Sequence, residues 1–576
     1  MEHICNPLNL SYKYQFHGSF YGHAICREAA DPSMILFHGR YYLFPSMSAG
    51  FWVSDDLAEW QNYPLTGLPI HDYAPDVRVI GEYMYFCASK RNSKCPFYRT
   101  KDPCSGQFER VAATLTFWDP HLFQDDDGRI YFYWGCSNQK PIYGVELDPK
   151  TMAPIGKPQG LIESDTTHHG FERNGENHIM PPAKKMGERI MRILAGGSAP
   201  YIEGAWMTKH NEKYYLQYAA TGAEFNVYSD GVYIGDSPLG PFTYAENNPY
   251  SYRPGGFMPG AGHGSTMEDK FGNLWHTSTM RISVSYNFER RIGLFPAGFD
   301  QDGELFCNQR YGDWPIRVEQ NRFDPWREPD WMLLSYGKTM TASSFAPEHP
   351  ANLAADECER TWWKAASDSG EWLQIDLGEV MTVHGVQINF ADDGLHMEPP
   401  KDAKWGGEWP IKRIIDTELH KTRWKLEGSL DGTEFFMVCD KSRAETDLSH
   451  DFICMEDGIQ VRYLRCTIME LPFHQAAAVS ALRVFGLSKC PKPRQVSELK
   501  IKRNNMDMDL SWAESGDAVG HAVLWGHAPD KLYHSVMVYG KDVCHIGALN
   551  KGQTCFIRVD AFNESGITHG ETTGPF

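Results

Sequence analysis

The 576-residue sequence contains no run of about 18 apolar residues that could span a bilayer. It also has no stretch of Lys and Arg long enough to track a phosphate backbone, and its formal net charge is −19. These absences argue against membrane and nucleic-acid partners. The opening residues, MEHICNPLNLSYKYQFHGSF, show neither a charged start leading into an apolar core nor a small-residue cleavage site, so a cytoplasmic location is expected. A chain trimmed of its leader would instead be secreted. The 14 Cys include no C-x-x-C pair and no small-domain framework, which predicts mostly reduced, buried thiols. What is abundant is aromatic: 17 Trp, 28 Tyr and 31 Phe, 13% of the chain, a composition that favours strands over helices and suits carbohydrate-stacking surfaces.

The length exceeds one hydrophobic core, so two to four domains are expected. From about Ala30 to Pro315 the text is strand and turn. Five phrases repeat one pattern, a run ending in a tight turn and an aromatic strand: ADPSMILFHGRYYLF, YAPDVRVIGEYMYFCAS, WDPHLFQDDDGRIYFYWG, IEGAWMTKHNEKYYLQYAATG and GHGSTMEDKFGNLWHTST. Five meanders at irregular spacing predict a five-bladed β-propeller over residues 1–325, with a long insertion at about 160–200 that includes HHGFERNGENH. A second all-β unit is expected at 335–488 as a sandwich, and a third, small one at 495–576 beyond the Pro-rich KCPKPRQV.

Three of the phrases carry a carboxylate at their start, namely Asp31, Asp119 and Glu203. Equivalent positions of blades around an axis face one another, so these acids are predicted to meet in one cavity. Cleaving a glycosidic bond needs one carboxylate to activate water and one protonated carboxyl to protonate the leaving oxygen, in opposite charge states at one pH. A third acid beside the donor can raise its pKa and orient it. Asp125, Asp126 and Asp127 read instead as solvated turn residues.

The first block resembles glycoside hydrolase family 43, a five-bladed propeller family, through ADPSMILFHGRYYLF, WDPHLFQDDDGRIYF and IEGAWMTKHNEKYYL. The resemblance covers a little over half the chain. It implies Asp31 as general base, Glu203 as general acid and Asp119 as the acid that tunes and orients the donor; Ala205 stands where the family commonly has Pro. The family inverts, which implies a base-to-acid separation of roughly 6.5–9.5 Å. Asp76 in YAPDVRV resembles the second-blade Ala-Pro-Asp and is expected to make a substrate or structural hydrogen bond. His263 in GAGHGS resembles the fifth-blade Gly-His, which implies contact with a central ion or its water. No cofactor is required, and a structural Ca²⁺ near the axis is allowed for. Arg290 in NFERRIG is expected to approach the base and the sugar, with Arg291 competing.

Trp52, Trp118 and Trp206 are candidate walls for a sugar ring or core packing. His169, in the insertion with His168, Glu172 and Arg173, is expected to touch substrate in preference to metal. The second block resembles a discoidin-like, coagulation-factor C-type jelly roll, through EWLQIDLGEVMTVHGVQI and WKLEGSLDGTEF, and so implies a carbohydrate-binding module or a unit that only packs. The third resembles a fibronectin type III domain, through LSWAES and CFIRVDAFNESG, with a spacer or docking role. The resemblance leads to an exo-acting inverting glycosidase that releases a terminal pentose, α-L-arabinofuranose or β-xylose, from plant glycans. A β-galactofuranosidase, an endo-arabinanase and a non-catalytic carbohydrate-binding propeller are the competing expectations. The oligomeric state is left open.

Overall fold

The computed structural model describes residues 3–576 except 20–21, 69–72, 91–92, 184–185, 188, 191–198, 283–285, 287, 400–405, 409–410 and 514. Part of the predicted insertion, residues 184–185, 188 and 191–198, therefore lies outside the described residues. Regular structure is overwhelmingly strand, with helix confined to short turns.

Five four-stranded antiparallel meanders form the first half. They begin with the strands Ala30–Phe37, Tyr73–Ile80, Pro120–Gln124, Ile202–His210 and Gly260–Glu268, and each inner strand packs against the next around a closed ring. The second strands explain why the aromatic runs look continuous. In Arg40–Ser46, Tyr41 and Leu43 enter one core while Tyr42 and Phe44 enter another, between blades 1 and 2. In Ile130–Trp134, Ile130 and Phe132 face blade 2 while Tyr131 and Tyr133 face blade 4. Successive side chains of a strand point to opposite faces, and a blade has a neighbour on each face, so both registers must be apolar. Each fully buried aromatic contributes on the order of 1.5–3 kcal/mol relative to exposure.

The second unit is an eight-stranded arrangement built on two long paired strands, Glu371–Phe390 and His450–Glu470, over a core with Trp363 and Trp424. The third consists of a three-stranded and a four-stranded sheet.

Both C-terminal units are fastened to the propeller through buried contacts. Before blade 1, the hairpin Lys13–Ser19 and Gly22–Glu28 pairs with strand Ile411–Ile415 of the second unit, giving one four-stranded sheet shared by both domains. Arg27 of that hairpin donates to Asp392 (2.9 Å) and Asp447 (2.6 Å), and Tyr14 donates to the other oxygen of Asp392 (2.7 Å). On the third unit, Asp507 accepts from Arg173 (2.7 Å), and the Leu549 carbonyl accepts from the Gly170 N–H.

Candidate active site

One backbone device recurs at the start of every inner strand. Asp31, Ala74, Asp119, Gly204 and His263 all have positive φ, between 43° and 62°. The strand pairing slips beside this residue in blades 1, 2, 4 and 5. Non-glycine residues rarely adopt this conformation, and it persists where surrounding bonds over-determine it. Those bonds are visible. The Asp31 N–H donates to Thr279 Oγ1 (2.9 Å), the Ala74 N–H to Ser46 Oγ (2.6 Å), and the Asp119 N–H to Ser89 Oγ (2.9 Å). In each case the hydroxyl belongs to the second strand of the neighbouring blade. The His263 and Gly264 N–H groups both donate to the Asp230 carboxylate. The bulge turns these side chains out of the pleat and toward the axis.

The three acids meet there, in one cavity of about 620 Å³ lined by Asp31, Asp119, Glu203, His263, Arg290 and Trp118 among others. Asp31 accepts from Ser46 Oγ (2.8 Å), and its other oxygen lies 3.4 Å from both Arg290 and His263 Nδ1. Burial alone would raise its carboxyl, but Arg290, then His263 and the Ser46 hydroxyl, outweigh burial and hold it below the usual carboxylate range. Arg290 is itself fixed by Glu28 (2.9 Å). Arg291 faces the opposite side of the strand, where it meets His450 of the second unit (3.0 Å), so Arg290 is the arginine of the site.

Glu203 accepts from Cys136 Sγ (3.0 Å) on one oxygen and from Tyr228 Oη (2.5 Å) on the other. Asp119, Cys136 and Glu203 bring their acceptor and thiol atoms within 4.8 Å of one another. Burial first, and then the charges of Glu203 and Asp31, push the Asp119 carboxyl well above its ordinary range, against the opposing pull of His263 and Cys136. His263 Nδ1 sits 3.4 Å from Asp31 and 3.8 Å from Asp119. Burial disfavours its charged form, but Asp31, Asp119, Glu203 and Asp230 together raise its pKa. Gly204 is required beside it: a Cβ there would lie 2.7 Å from the His263 ring, at a φ of +62°.

Four candidates for substrate contact are placed elsewhere: Asp76 makes the structural hydrogen bond that is its alternative, Trp52 and Trp206 pack in the interior as theirs, and His169 leaves the cavity. Asp76 does not line the cavity; it accepts from the Leu122 N–H (2.7 Å) and pairs with His121 Nδ1 (3.1 Å), whose Nε2 accepts from the Met207 N–H (2.9 Å). It therefore ties blades 2, 3 and 4 together. Trp52 is fully buried in the core, and Trp206 is buried with its Nε1 donating to the Thr266 carbonyl (2.9 Å). His169 stacks on Tyr244 (3.6 Å) and pairs with Glu172 (2.9 Å), and it forms a bridge to Asn550 of the third unit. His169 thus faces that unit, while Asn174, Met180 and Ala199 of the same insertion line the cavity.

His263 belongs to none of the described clusters of three or more His, Cys, Asp and Glu ligand atoms. Ca²⁺ takes six to eight oxygens, waters among them, and the carboxylates beside His263 are Asp31 at 3.4 Å and Asp119 at 3.8 Å. Unanticipated cavity residues are Cys136, His17, Glu28 and Arg413, the last from the second unit.

Two parts of the chain are similar to known families. Residues 24–305 match glycosyl hydrolases family 43, and residues 339–404 match the F5/8 type C domain. A beta-xylosidase of Xylanibacter ruminicola is 24% identical over 265 residues, covering 37% of this chain and 77% of that protein. A xylosidase/arabinosidase 43A of Humicola insolens is 27% identical over 271 residues, covering 37% and 78%. A solved structure described as a glycoside hydrolase superposes with a TM-score of 0.44 at 16% identity, covering 79% of this chain and 97% of that one.

Proposed function

Taking as premise that the chain carries a family 43 glycosyl hydrolase domain joined to an F5/8 type C domain, and that it is a glycosidase acting on carbohydrate, we propose that it releases a terminal pentose from plant glycans with inversion. The favoured sugars are α-L-arabinofuranose and β-xylose, in line with relatives named beta-xylosidase and xylosidase/arabinosidase, while a relative named beta-D-galactofuranosidase supports the alternative. The observation that carries the mechanism is the contrast within one cavity: Asp31 is held below the ordinary carboxyl range while Asp119 is pushed well above it.

In this reading Asp31, ionised and steadied by Arg290, His263 and Ser46, accepts a proton from the attacking water. Glu203, positioned by Cys136 and Tyr228, protonates the leaving oxygen. Asp119 keeps a proton beside Glu203, so the buried trio does not carry three negative charges at once. Against burial, Asp31, Asp119 and Glu203 raise the pKa of His263, which stands between the first two of these acids. Dialysis against a chelator is expected to leave turnover unchanged, and loss restored by Ca²⁺ would contradict this. Family membership alone leaves the sugar open, so α-arabinofuranosides, β-xylosides and β-galactofuranosides belong in one assay panel, together with arabinan. Monosaccharide as the first product, of the anomer opposite to the substrate by proton NMR, is the expected result. Retained configuration would overturn the paired-acid scheme, and early oligomers from arabinan would replace exo with endo action.

A further inference from the structure

The cavity has a wall that is not part of any blade. It is the four-stranded sheet in which the N-terminal hairpin pairs with strand Ile411–Ile415 of the second domain, with His17 directly opposite Arg413. Three side chains of this sheet line the cavity: His17, Glu28 and Arg413, at 3%, 1% and 4% exposure. Among the described residues, Glu28 Oε2 and both ring nitrogens of His17 have no hydrogen-bond partner, although Glu28 Oε1 is taken by Arg290. His17 Nε2 and Glu28 Oε2 face each other 3.9 Å apart, too far for a direct hydrogen bond, and buried polar atoms left open in this way are completed by water or by a ligand's groups. His17 is stacked on Tyr286 (4.3 Å), which fixes the ring plane. Burial, with Arg413 and Arg290 nearby, pushes its pKa down to about 3, so it stands as a neutral imidazole with one donor and one acceptor.

A neutral polyol ring satisfies this set. One hydroxyl donates to Glu28 Oε2, another exchanges a hydrogen bond with His17, and a guanidinium donates to ring or hydroxyl oxygens. We propose that His17, Glu28 and Arg413 form a hydroxyl-binding wall for the glycosyl unit being released, so that the second domain supplies a specificity-determining residue to the first domain's active site. The inference rests on the proposed glycosidase reading. It gives the F5/8 type C domain a part inside the reaction cavity, through a strand that lies outside the 339–404 match.

The test uses the full-length protein and whichever aryl glycoside of the arabinofuranoside, xyloside and galactofuranoside panel the wild type turns over. Losing a hydrogen bond from a charged donor corresponds to roughly ten- to a hundredfold in apparent affinity, so Arg413→Ala is expected to raise KM by that factor with kcat changed only a fewfold. Arg413→Lys should restore part of the affinity, because the charge remains while the planar fork is lost. The ratio of kcat/KM between the pentosides should shift in both variants. His17→Phe keeps the ring stacked on Tyr286 but removes both nitrogens, and should raise KM similarly; it serves as the second arm if Arg413→Ala does not fold. Unchanged KM and unchanged sugar ratio in folded variants would overturn the wall while leaving the glycosidase reading intact. A wild type inactive on every substrate would overturn both.

Discussion

The floor of the cavity and its wall are built from different kinds of chain. The floor repeats: five positive-φ residues, a bulge beside four of them, and two acids, Asp31 and Asp119, whose N–H groups are capped by a hydroxyl of the neighbouring blade. Its groups are fully engaged, with Asp31 contacting three partners and Glu203 two. The wall occurs once, joins segments about 400 positions apart, and leaves Glu28 and His17 with open hydrogen-bonding capacity. The floor is organised to set charge states, which every substrate of the reaction needs. The wall is organised to meet hydroxyls, which differ between sugars.

The strongest break in that comparison is a change to the floor. Asp31→Asn removes the proton acceptor while keeping the shape, and general-base catalysis is worth about 10²–10⁴-fold, so turnover of all substrates should fall by that factor with melting temperature nearly kept. Substantial residual kcat would remove Asp31 from the base role. Glu203→Gln should separate substrates by leaving group: a loss of about 10²-fold or more on alkyl glycosides or oligosaccharides, but little on activated aryl glycosides, which need scarcely any protonation. Equal losses on both would tell against Glu203 as the acid. A wall variant such as Arg413→Ala should follow neither pattern.

How much of this could be read beforehand follows the same division. The acids and His263 stand out because each blade repeats a phrase and the site residue lies near its start, whereas Arg290 lies outside the repeated phrases and rests on the family resemblance. Arg290 and Arg291 are adjacent and could not be separated without knowing which parity of the strand Arg290–Phe299 faces the axis. Trp52 and Trp206 follow blade acids in sequence, but distance along a strand does not tell which face carries the ring, and both rings filled cores. Asp76 sits two residues beyond the positive-φ position of its blade, and that offset aims it at His121 instead of the cavity. His169 reads as a substrate contact because nothing in HHGFERNGENH reveals that Gly170 docks on Leu549. His17, Glu28 and Arg413 carry no local signal at all. Strand pairing between distant segments is decided by tertiary packing, and the only hint is that YQFHGS and HAICRE form a polar-bearing hairpin before the first blade.

The junction between wall and floor can be tested through stability. Arg27 joins the N-terminal hairpin to Asp392 and Asp447 of the second domain with nearly complete burial. Arg27→Ala leaves two buried carboxylates uncompensated, a loss typically worth about 3–5 kcal/mol. Urea unfolding should show that drop. If the two domains unfold separately in the variant, KM should rise as it does in Arg413→Ala, because the wall has moved from the floor. A drop below about 1 kcal/mol, in the range of an exposed pair, would mean that the hairpin is held chiefly by its strand pairing.

The smallest expected effect tests how finely the floor is set. With Asp31 held low and Asp119 held high, kcat/KM should be bell-shaped, its acid limb below the ordinary carboxyl range and its basic limb above it. The acid limb is activity lost as Asp31 gains a proton; the basic limb is activity lost as Asp119 gives its proton up. Cys136 donates to Glu203, and its hydrogen bond lowers the Asp119 pKa. Removing it in Cys136→Ala therefore lets Asp119 hold its proton to higher pH, and the basic limb should move upward by less than about one unit, since one such unit is about 1.4 kcal/mol and a neutral hydrogen bond is worth about 1 kcal/mol. The acid limb should stay in place, because Asp31 depends on Arg290, His263 and Ser46 and not on the thiol. Cys136→Ser, which keeps a donor, should return the basic limb toward its original position. Movement of the acid limb instead would mean that Cys136 acts on Asp31, and the division of the floor into a low-pKa acceptor and a high-pKa Asp119 would have to be redrawn.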